Sequence, residues 1–389
     1  MKHLPAIAAI FCGASLAWII LGYTLVSRTA ESDSSQQDRL SAQWGSAQTQ
    51  DAPQVSAQSV NGSRGVPVPI RSSRIAVGLQ LEQRRKGLLW YNLYDVRFVA
   101  HYTIRNDTNT EHLAVRFTLP GAGGSYANVL YRIGGRRIDN STALDQGRVN
   151  FDLKPGQETS IDAGYQSRGM ESWSYRFRKG AESITDFALT MTTDFTAIDF
   201  PPQALLPVTE EPSGKGWRLQ WQYATLVTEN GIGMVVPYPL QPGPLAQRIT
   251  FWAPVALLFY LFVMLLITTM RNIDLHPINY FFLACAFFAF HLLFAYLVDR
   301  IAIEAAFIIC SLVSISLTVT YLRLVAGWRF AAVESGLAQL VYLVLFSYAL
   351  FNEGWSGLII TTGAIITLFV TMQLTGRIRW SKRFAASGP

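Results

Sequence analysis

Phe251-Trp252-Ala253-Pro254-Val255-Ala256-Leu257-Leu258-Phe259-Tyr260-Leu261-Phe262-Val263-Met264-Leu265-Leu266-Ile267 contains no charged residue. It belongs to the first of five apolar runs between Arg248 and Arg383, at 249–270, 278–298, 301–322, 333–352 and 355–376. Each run is about as long as an α-helix needs to be to cross ~30 Å of hydrocarbon. Inside lipid every backbone N–H and C=O must be satisfied within the segment, so the runs read as membrane-spanning helices.

Outward from this block, a sixth apolar run, Leu4 to Val26, follows Lys2 and His3. It is longer than the apolar core of a signal peptide. Ser27-Arg28-Thr29-Ala30 also places arginine where a cleavage site wants a small residue. Residues 1–27 therefore read as an uncleaved anchor. Residues 28–64 are rich in Ser, Gln and Ala with no apolar period, which predicts a flexible linker.

Residues 65–247 read as a β-rich domain. Val96, Phe98, Ala100, Tyr102 and Ile104 alternate with Arg97, His101, Thr103 and Arg105, the period of a half-buried strand. Leu113–Leu119, Val129–Ile133, Val149–Leu153, Ile161–Tyr165, Trp173–Phe177, Phe187–Met191 and Leu219–Tyr223 repeat the theme between turn signals. Short strands at this spacing predict an antiparallel sandwich. Trp173, Tyr175, Phe177, Trp217, Trp221 and Tyr223 are expected in its core. Pro237, Pro239, Pro242 and Pro244 predict an extended approach to residues 248–383, the five-helix part, with 384–389 left as a tail. The expected fold is an α+β membrane protein: one N-terminal transmembrane helix, an extracytoplasmic β-sandwich-like domain and a C-terminal bundle of five transmembrane helices.

Charge locates this architecture. The net +6 of the 389 residues is uneven: residues 27–247 carry 22 Lys/Arg against 21 Asp/Glu, the rest 10 against 5. Lys2, Arg271, Arg323, Arg329, Arg377, Arg379, Lys382 and Arg383 share one side of the predicted spans. The opposite short connections offer Arg300 beside Asp299, and Glu353. By the positive-inside rule both termini are cytoplasmic and the β-rich domain is periplasmic. The basic excess is a topology signal, and a nucleic-acid partner is not expected; the lipid bilayer is. Cys12, Cys285 and Cys310 all fall in apolar runs, so the β-rich domain is no disulfide scaffold.

His276-Pro277-Ile278-Asn279-Tyr280, Leu292-Leu293, Thr320-Tyr321-Leu322, Tyr342 with Glu353, and the closing Thr375-Gly376-Arg377-Ile378-Arg379-Trp380 carry a likeness. In their order and spacing, residues 248–383 resemble the CreD family of bacterial inner-membrane proteins. The resemblance implies a multi-pass inner-membrane protein tied to cell-envelope integrity, stress response and tolerance of β-lactams or colicins. It supplies no catalytic residues.

Ionisable groups at membrane depth are costly and mark candidate sites. His291 lies about 21 Å along its helix from Pro277 at 1.5 Å per residue. Asp299-Arg300 forms the following turn and Glu304 opens the next helix, so His291 and Glu304 could come within hydrogen-bonding range. One reading is a proton-responsive or ligand-gripping site of His291, Asp299, Arg300 and Glu304. The other is a buried histidine satisfied locally, with Asp299 and Arg300 at the headgroups. His276 suits a helix cap, and His101 and His112 have no third ligand at useful spacing. There is no HExxH, GxSxG, P-loop or Cys-pair metal pattern, so no cofactor and no enzyme class is indicated. Two functions stand: an envelope protein whose β-rich domain binds or braces a protein or cell-wall component, or a membrane enzyme or transporter acting on a lipid-linked or anionic substrate through His291 and Glu304.

Overall fold

The computed structural model describes residues 4–44, 46–58, 65–121, 124–138, 148–177, 183–352 and 354–376. Lys2, Glu353, Arg377, Arg379, Trp380, Lys382, Arg383, the 384–389 tail and linker residues 59–64 lie outside them. The chain divides into a helical unit (Met1–Asp33, Gly87–Leu89, Leu240–Pro389) and a sheet-rich unit (Ser34–Lys86, Trp90–Pro239).

In the sheet-rich unit the strands are β1 (Gln48–Asp51), β2 (Gln54–Ala57), β3 (Pro67–Val68), β4 (Ile70–Lys86), β5 (Leu89–Arg105), β6 (His112–Arg116), β7 (Tyr126–Ile133) and β8 (Arg136–Arg137). They continue with β9 (Arg148–Asp152), β10 (Glu158–Met170), β11 (Ser172–Arg176), β12 (Ile184–Thr193), β13 (Thr209–Ser213), β14 (Gly216–Leu226) and β15 (Ile232–Val235). An eight-stranded sheet in the order β13-β14-β12-β4-β5-β10-β7-β8 packs with sheets of order β3-β2-β6-β9 and β1-β11-β15 around one core.

The period-two pattern on β5 decides that core. Val96, Phe98, Ala100, Tyr102 and Ile104 are buried while Arg97, Val99, His101 and Arg105 are exposed. Across the antiparallel ladder, Ile161, Ala163 and Tyr165 of β10 stand opposite Tyr102, Ala100 and Phe98. A fully buried side chain of this size contributes about 1.5–3 kcal/mol. Trp173, Tyr175, Phe177 and Trp221 are buried as expected; Trp217 and Tyr223 are partly buried against the same cluster.

Two expectations for this part are corrected. The sheets are not purely antiparallel: β12 runs parallel to β4, and β1 parallel to β11. Alternation fixes which face a residue takes but carries no information on strand direction. The 28–64 stretch is also not structureless. Helix α1 runs Leu4–Trp44, because from Tyr23 to Trp44 no Gly or Pro interrupts it. β1 escaped notice because its inward residues are polar. Gln48 is buried and donates from Nε2 to the Arg168 carbonyl (2.8 Å) while accepting from Ser167 Oγ (3.1 Å); buried Gln50 donates to the Thr118 carbonyl (3.1 Å). Buried amides whose nitrogens find carbonyl acceptors enter a core without a hydrophobic signal.

The helical unit contains the apolar part of α1, then α2 (Pro242–Arg271), α3 (Pro277–Leu297), α4 (Ile303–Ala326), α5 (Phe330–Ala349) and α6 (Ser356–Thr375). Six helices among the described residues are long and apolar enough to cross a membrane. α2 begins earlier than expected: Pro242 occupies its first turn, where a fixed φ favours the helix and the missing N–H costs nothing. His276 caps α3, its Nδ1 accepting from the Ile278 N–H at 3.3 Å. The fourth apolar run is not one uniform helix. α5 alternates between i→i+5 segments (Phe330–Ser335, Leu340–Leu345) and α segments (Gly336–Gln339, Phe346–Ala349). An apolar run reports span length, not hydrogen-bond register.

Candidate functional site

The α3–α4 turn separates the four residues singled out above. His291 is buried, and its Nδ1 lies 3.2 Å from the Phe287 carbonyl one turn back. Rings of Trp18, Phe287 and Phe290 surround it at centroid distances of 5.5, 5.9 and 4.9 Å. Its Nε2 has no hydrogen-bond partner, and Glu304 is exposed. The anticipated His291–Glu304 contact therefore does not form, because the His291 ring turns toward its own helix and α1.

Asp299 instead meets a residue the sequence argument left out. Arg28 at the end of α1's apolar stretch bonds Asp299 Oδ2 at 3.0 Å and the Ala295 carbonyl at 3.1 Å, and lies over the Tyr296 ring at 4.9 Å. Arg300 is 80% exposed and only 3.7 Å from Asp299 Oδ1, so it adds little. Arg28 closes the pair from 271 residues away.

Deeper between the helices lies a line of neutral polar side chains. Tyr260 of α2 meets Ser335 of α5 hydroxyl to hydroxyl at 3.3 Å. Gln339 of α5 donates from Nε2 to Ser314 Oγ of α4 at 2.7 Å, and Ser314 donates to the Ala286 carbonyl of α3 at 2.6 Å. Thr318, one turn from Ser314, is buried with its hydroxyl beside that of Tyr260. Next to Ser335, Glu334 pairs with Arg271 through Oε1, and its Oε2 has no partner. The signal that could have found this line is spacing: Ser314/Thr318 and Ser335/Gln339 are both i, i+4 pairs on apolar helices.

The sheet-rich unit carries a cleft of about 610 Å³ on the outer face of β4, β5, β10 and β7, lined by Gly78, Gln80, Asp95, Arg97, Tyr126 and Gln166, with Arg168 at its side. The ladder sets the chemistry, since Arg97 stands opposite Gln166 and Asp95 opposite Arg168. Arg168 bonds Asp95 at 2.6 Å, which holds its guanidinium above the usual pKa; partial burial pushes the Tyr126 phenol up to about 12. Gln166 Oε1 accepts from Asn128 at 2.7 Å. His101 and His112 each face a carboxylate directly across a ladder, Asp162 at 2.6 Å and Asp152 at 2.7 Å. Among the described residues no three His, Cys, Asp or Glu side chains group to hold a metal ion.

No curated protein matches the chain. Among solved structures, a candidate nutrient-binding protein of Legionella pneumophila is similar at 10% identity and a TM-score of 0.36, over 56% of this chain and 76% of that one. So partial a likeness carries no argument. The helical part is the informative one: residues 228–381 match the family model described as Inner membrane protein CreD.

Proposed function

We propose that this chain is a non-enzymatic protein of the bacterial inner membrane that supports envelope integrity under stress. On this reading its termini are cytoplasmic. The sheet-rich unit is periplasmic and binds or braces an envelope component, a protein or a cell-wall polymer. The observation that carries the reading is the cleft. It presents Arg97 and Gln166 on the uninterrupted β5–β10 ladder, with Gln80 and Tyr126 on the flanking strands, on a unit continuous in sequence with apolar helices at both ends. Sidedness draws support from Arg271, Arg323 and Arg329, which sit at helix ends opposite in sequence order to Asp299 and Arg300. The enzyme or transporter alternative needs His291 and Glu304 to act together, and they do not meet.

A deletion strain challenged with β-lactam and detergent tests this. At matched protein levels, wild type and Glu304→Ala should restore survival, and Arg97→Ala/Gln166→Ala should not. Full rescue by the cleft variant, or failure of Glu304→Ala, would overturn the assignment. Topology is read separately in a cysteine-free background: a membrane-impermeant maleimide added to outer-membrane-permeabilised cells should label Lys215→Cys and spare Asp274→Cys.

A further inference from the structure

Among the described residues five glycines lie within strands of the sheet-rich unit, and the packing around four of them explains the choice. A Cβ at Gly169, Gly216 or Gly233 would come within 2.8 Å of Tyr94, Thr193 or Pro201, and one at Gly164 within 3.2 Å of the Phe98 carbonyl. Gly78 of β4 is the exception. A Cβ there would meet only Thr192 Oγ1, at 3.6 Å, which is an ordinary contact. Its φ is not positive, and its ladder with β12 passes through Thr192 without a shift. Glycine inside a strand weakens it, and where neither a bulge nor a close neighbour requires it, it leaves room for a ligand to approach the backbone. Gly78 lines the cleft on β4, β5, β10 and β7.

The other lining groups define what fits there. Of the three charged ones, Asp95 and Arg168 neutralise each other at 2.6 Å. Arg97 has no hydrogen bond or ion pair with any described residue, so the cleft presents one unbalanced positive charge. Gln166 stands directly across the ladder from Arg97. The β10–β7 register shifts between Gly164 and Gln166, and Asn128, at φ 51°, donates to Gln166 Oε1 at 2.7 Å. The donating NH2 end of Gln166 is left without an acceptor among the described residues. Gln80 and Ser125 add an amide and a hydroxyl that bond no described residue. Tyr126 spends its hydroxyl on the Gly121 carbonyl at 3.2 Å, which leaves its ring as a wall.

These features discriminate between ligands. A guanidinium fork with an amide beside it matches a carboxylate, and one unbalanced charge matches one such group. A phosphate monoester would bring about −1.5 to −2. The aliphatic lining residues are Ala127 and the buried Val96, so the cleft has no socket for an apolar side chain. A peptide cannot add as a strand, because β5 and β10 are each paired on both sides. Neutral amides and a hydroxyl suit a hydroxyl-rich molecule. The lining crosses four adjacent strands, roughly 14 Å at the usual strand spacing, which is longer than one sugar ring. We propose that the cleft binds an oligosaccharide bearing a carboxylate. The carboxylate sits on Arg97 and Gln166, one ring lies over Gly78 beside Gln80, and the next extends toward Ser125 and Tyr126. This rests on the reading of the cleft as the site for an envelope component, and takes the polymer over the protein.

Isothermal titration of the full chain in detergent micelles tests this with three probes. N-acetylglucosaminyl-N-acetylmuramic acid carries one carboxylate, diacetylchitobiose is its counterpart without one, and trialanine is a peptide with a free carboxylate. The acidic disaccharide should bind wild type about tenfold more tightly than diacetylchitobiose, and trialanine should not bind. Arg97→Gln should remove that preference while leaving the affinity for diacetylchitobiose unchanged. Gly78→Val, which suits a strand and has room for its Cβ, should weaken both sugars about tenfold or more. Equal affinity for the two sugars, absence of sugar binding, trialanine binding as tightly as the acidic disaccharide, or undiminished binding by Gly78→Val would overturn the proposal. If Gly78→Val does not fold, Arg97→Gln still decides it. Survival of the deletion strain separates this claim from the one it rests on. If no sugar binds and folded Gly78→Val still fails to restore survival, the cleft serves another ligand and only the saccharide assignment falls. If the sugars bind as expected and Gly78→Val restores survival, the saccharide assignment stands and the envelope role falls.

Discussion

The sheet-rich and helical units both bury apolar cores, but they differ in what they leave outside. On β5 the apolar residues point inward and Arg97, His101 and Arg105 point outward. On α4 and α5 neutral polar residues join the apolar ones inside and apolar residues also face out: Ser314, Thr318, Ser335 and Gln339 are at most 1% exposed beside buried Phe307, Leu322 and Leu343, while Leu312 and Leu324 are 61% and 79% exposed. The physical cause is the surroundings expected of each. Water makes apolar burial the driving force for a sheet, whereas lipid is as apolar as leucine and rewards inward polar contacts and close packing instead. Hydrophobicity therefore marks the inside of the sheet-rich unit, whereas in the helical unit apolar residues lie both inside, as Phe287, Phe290 and Leu343 do, and outside.

The strongest test of this contrast uses truncations in each unit. Trp173 is fully buried on β11 with its ring 6.1 Å from Phe98, and Trp173→Ala should destabilise the chain by about 3–5 kcal/mol. Leu312→Ala removes a smaller apolar group from a position 61% exposed and should change stability by well under 1 kcal/mol. Thermal unfolding of the detergent-solubilised full chain, followed by circular dichroism, compares the two. A large loss for Leu312→Ala would show that this face is packed against protein.

The same contrast explains what could be read ahead of the structure. β5, β7, β10, β11, β12 and β14 announce themselves through alternation, and the apolar spans through length. β1 does not, because Gln48 and Gln50 are buried polar residues whose amide nitrogens bond backbone carbonyls far away in sequence. Nor does the parallel pairing of β4 with β12, which depends on register across more than 100 residues. In the helical unit the spans were legible but not their facing. His291 is a buried polar group, yet its neighbours come in part from α1, whose Trp18 and Arg28 no local pattern could place near α3. Gln339 escaped because a single amide in an apolar run draws attention only once its partner helix is known.

Two arginine–carboxylate pairs sharpen the comparison further, because the chemistry is held constant while the surroundings change. In the helical unit Asp299 is 16% exposed and Arg28 29%. Arg28→Ala removes charged hydrogen bonds to Asp299 and to the Ala295 carbonyl, and should cost about 1–3 kcal/mol. The loss should be partly recovered in Arg28→Ala/Asp299→Asn, which no longer leaves a carboxylate without its cation. Arg300→Ala, at an 80% exposed position, should be nearly silent. Equal losses for Arg28→Ala and Arg300→Ala would mean that Asp299 is held by the turn as a whole and not by α1.

The counterpart on the sheet-rich unit is Arg74 with Asp186, which joins β4 to β12 in the open. Arg74 bonds both carboxylate oxygens at 2.7 and 2.8 Å and the Asp186 carbonyl at 2.6 Å. The Arg74 hydrogen bond, helped by Ser72, holds the Asp186 carboxyl below its usual pKa. A folded-state pKa lowered in this way means that the pair's contribution is fully present above the unfolded carboxylate value. It is lost as pH falls through the lowered folded value, where the carboxyl is protonated. Wild type and Asp186→Asn should therefore differ slightly in melting temperature at neutral pH and converge in acid. Added salt should shrink the neutral-pH gap, because an exposed pair is screened. Asn tolerates the left-handed backbone at this position (φ 43°), so the substitution isolates the charge. A gap that persisted in acid would instead assign the effect to the backbone turn, and the parallel β4–β12 junction would then owe nothing to the ion pair.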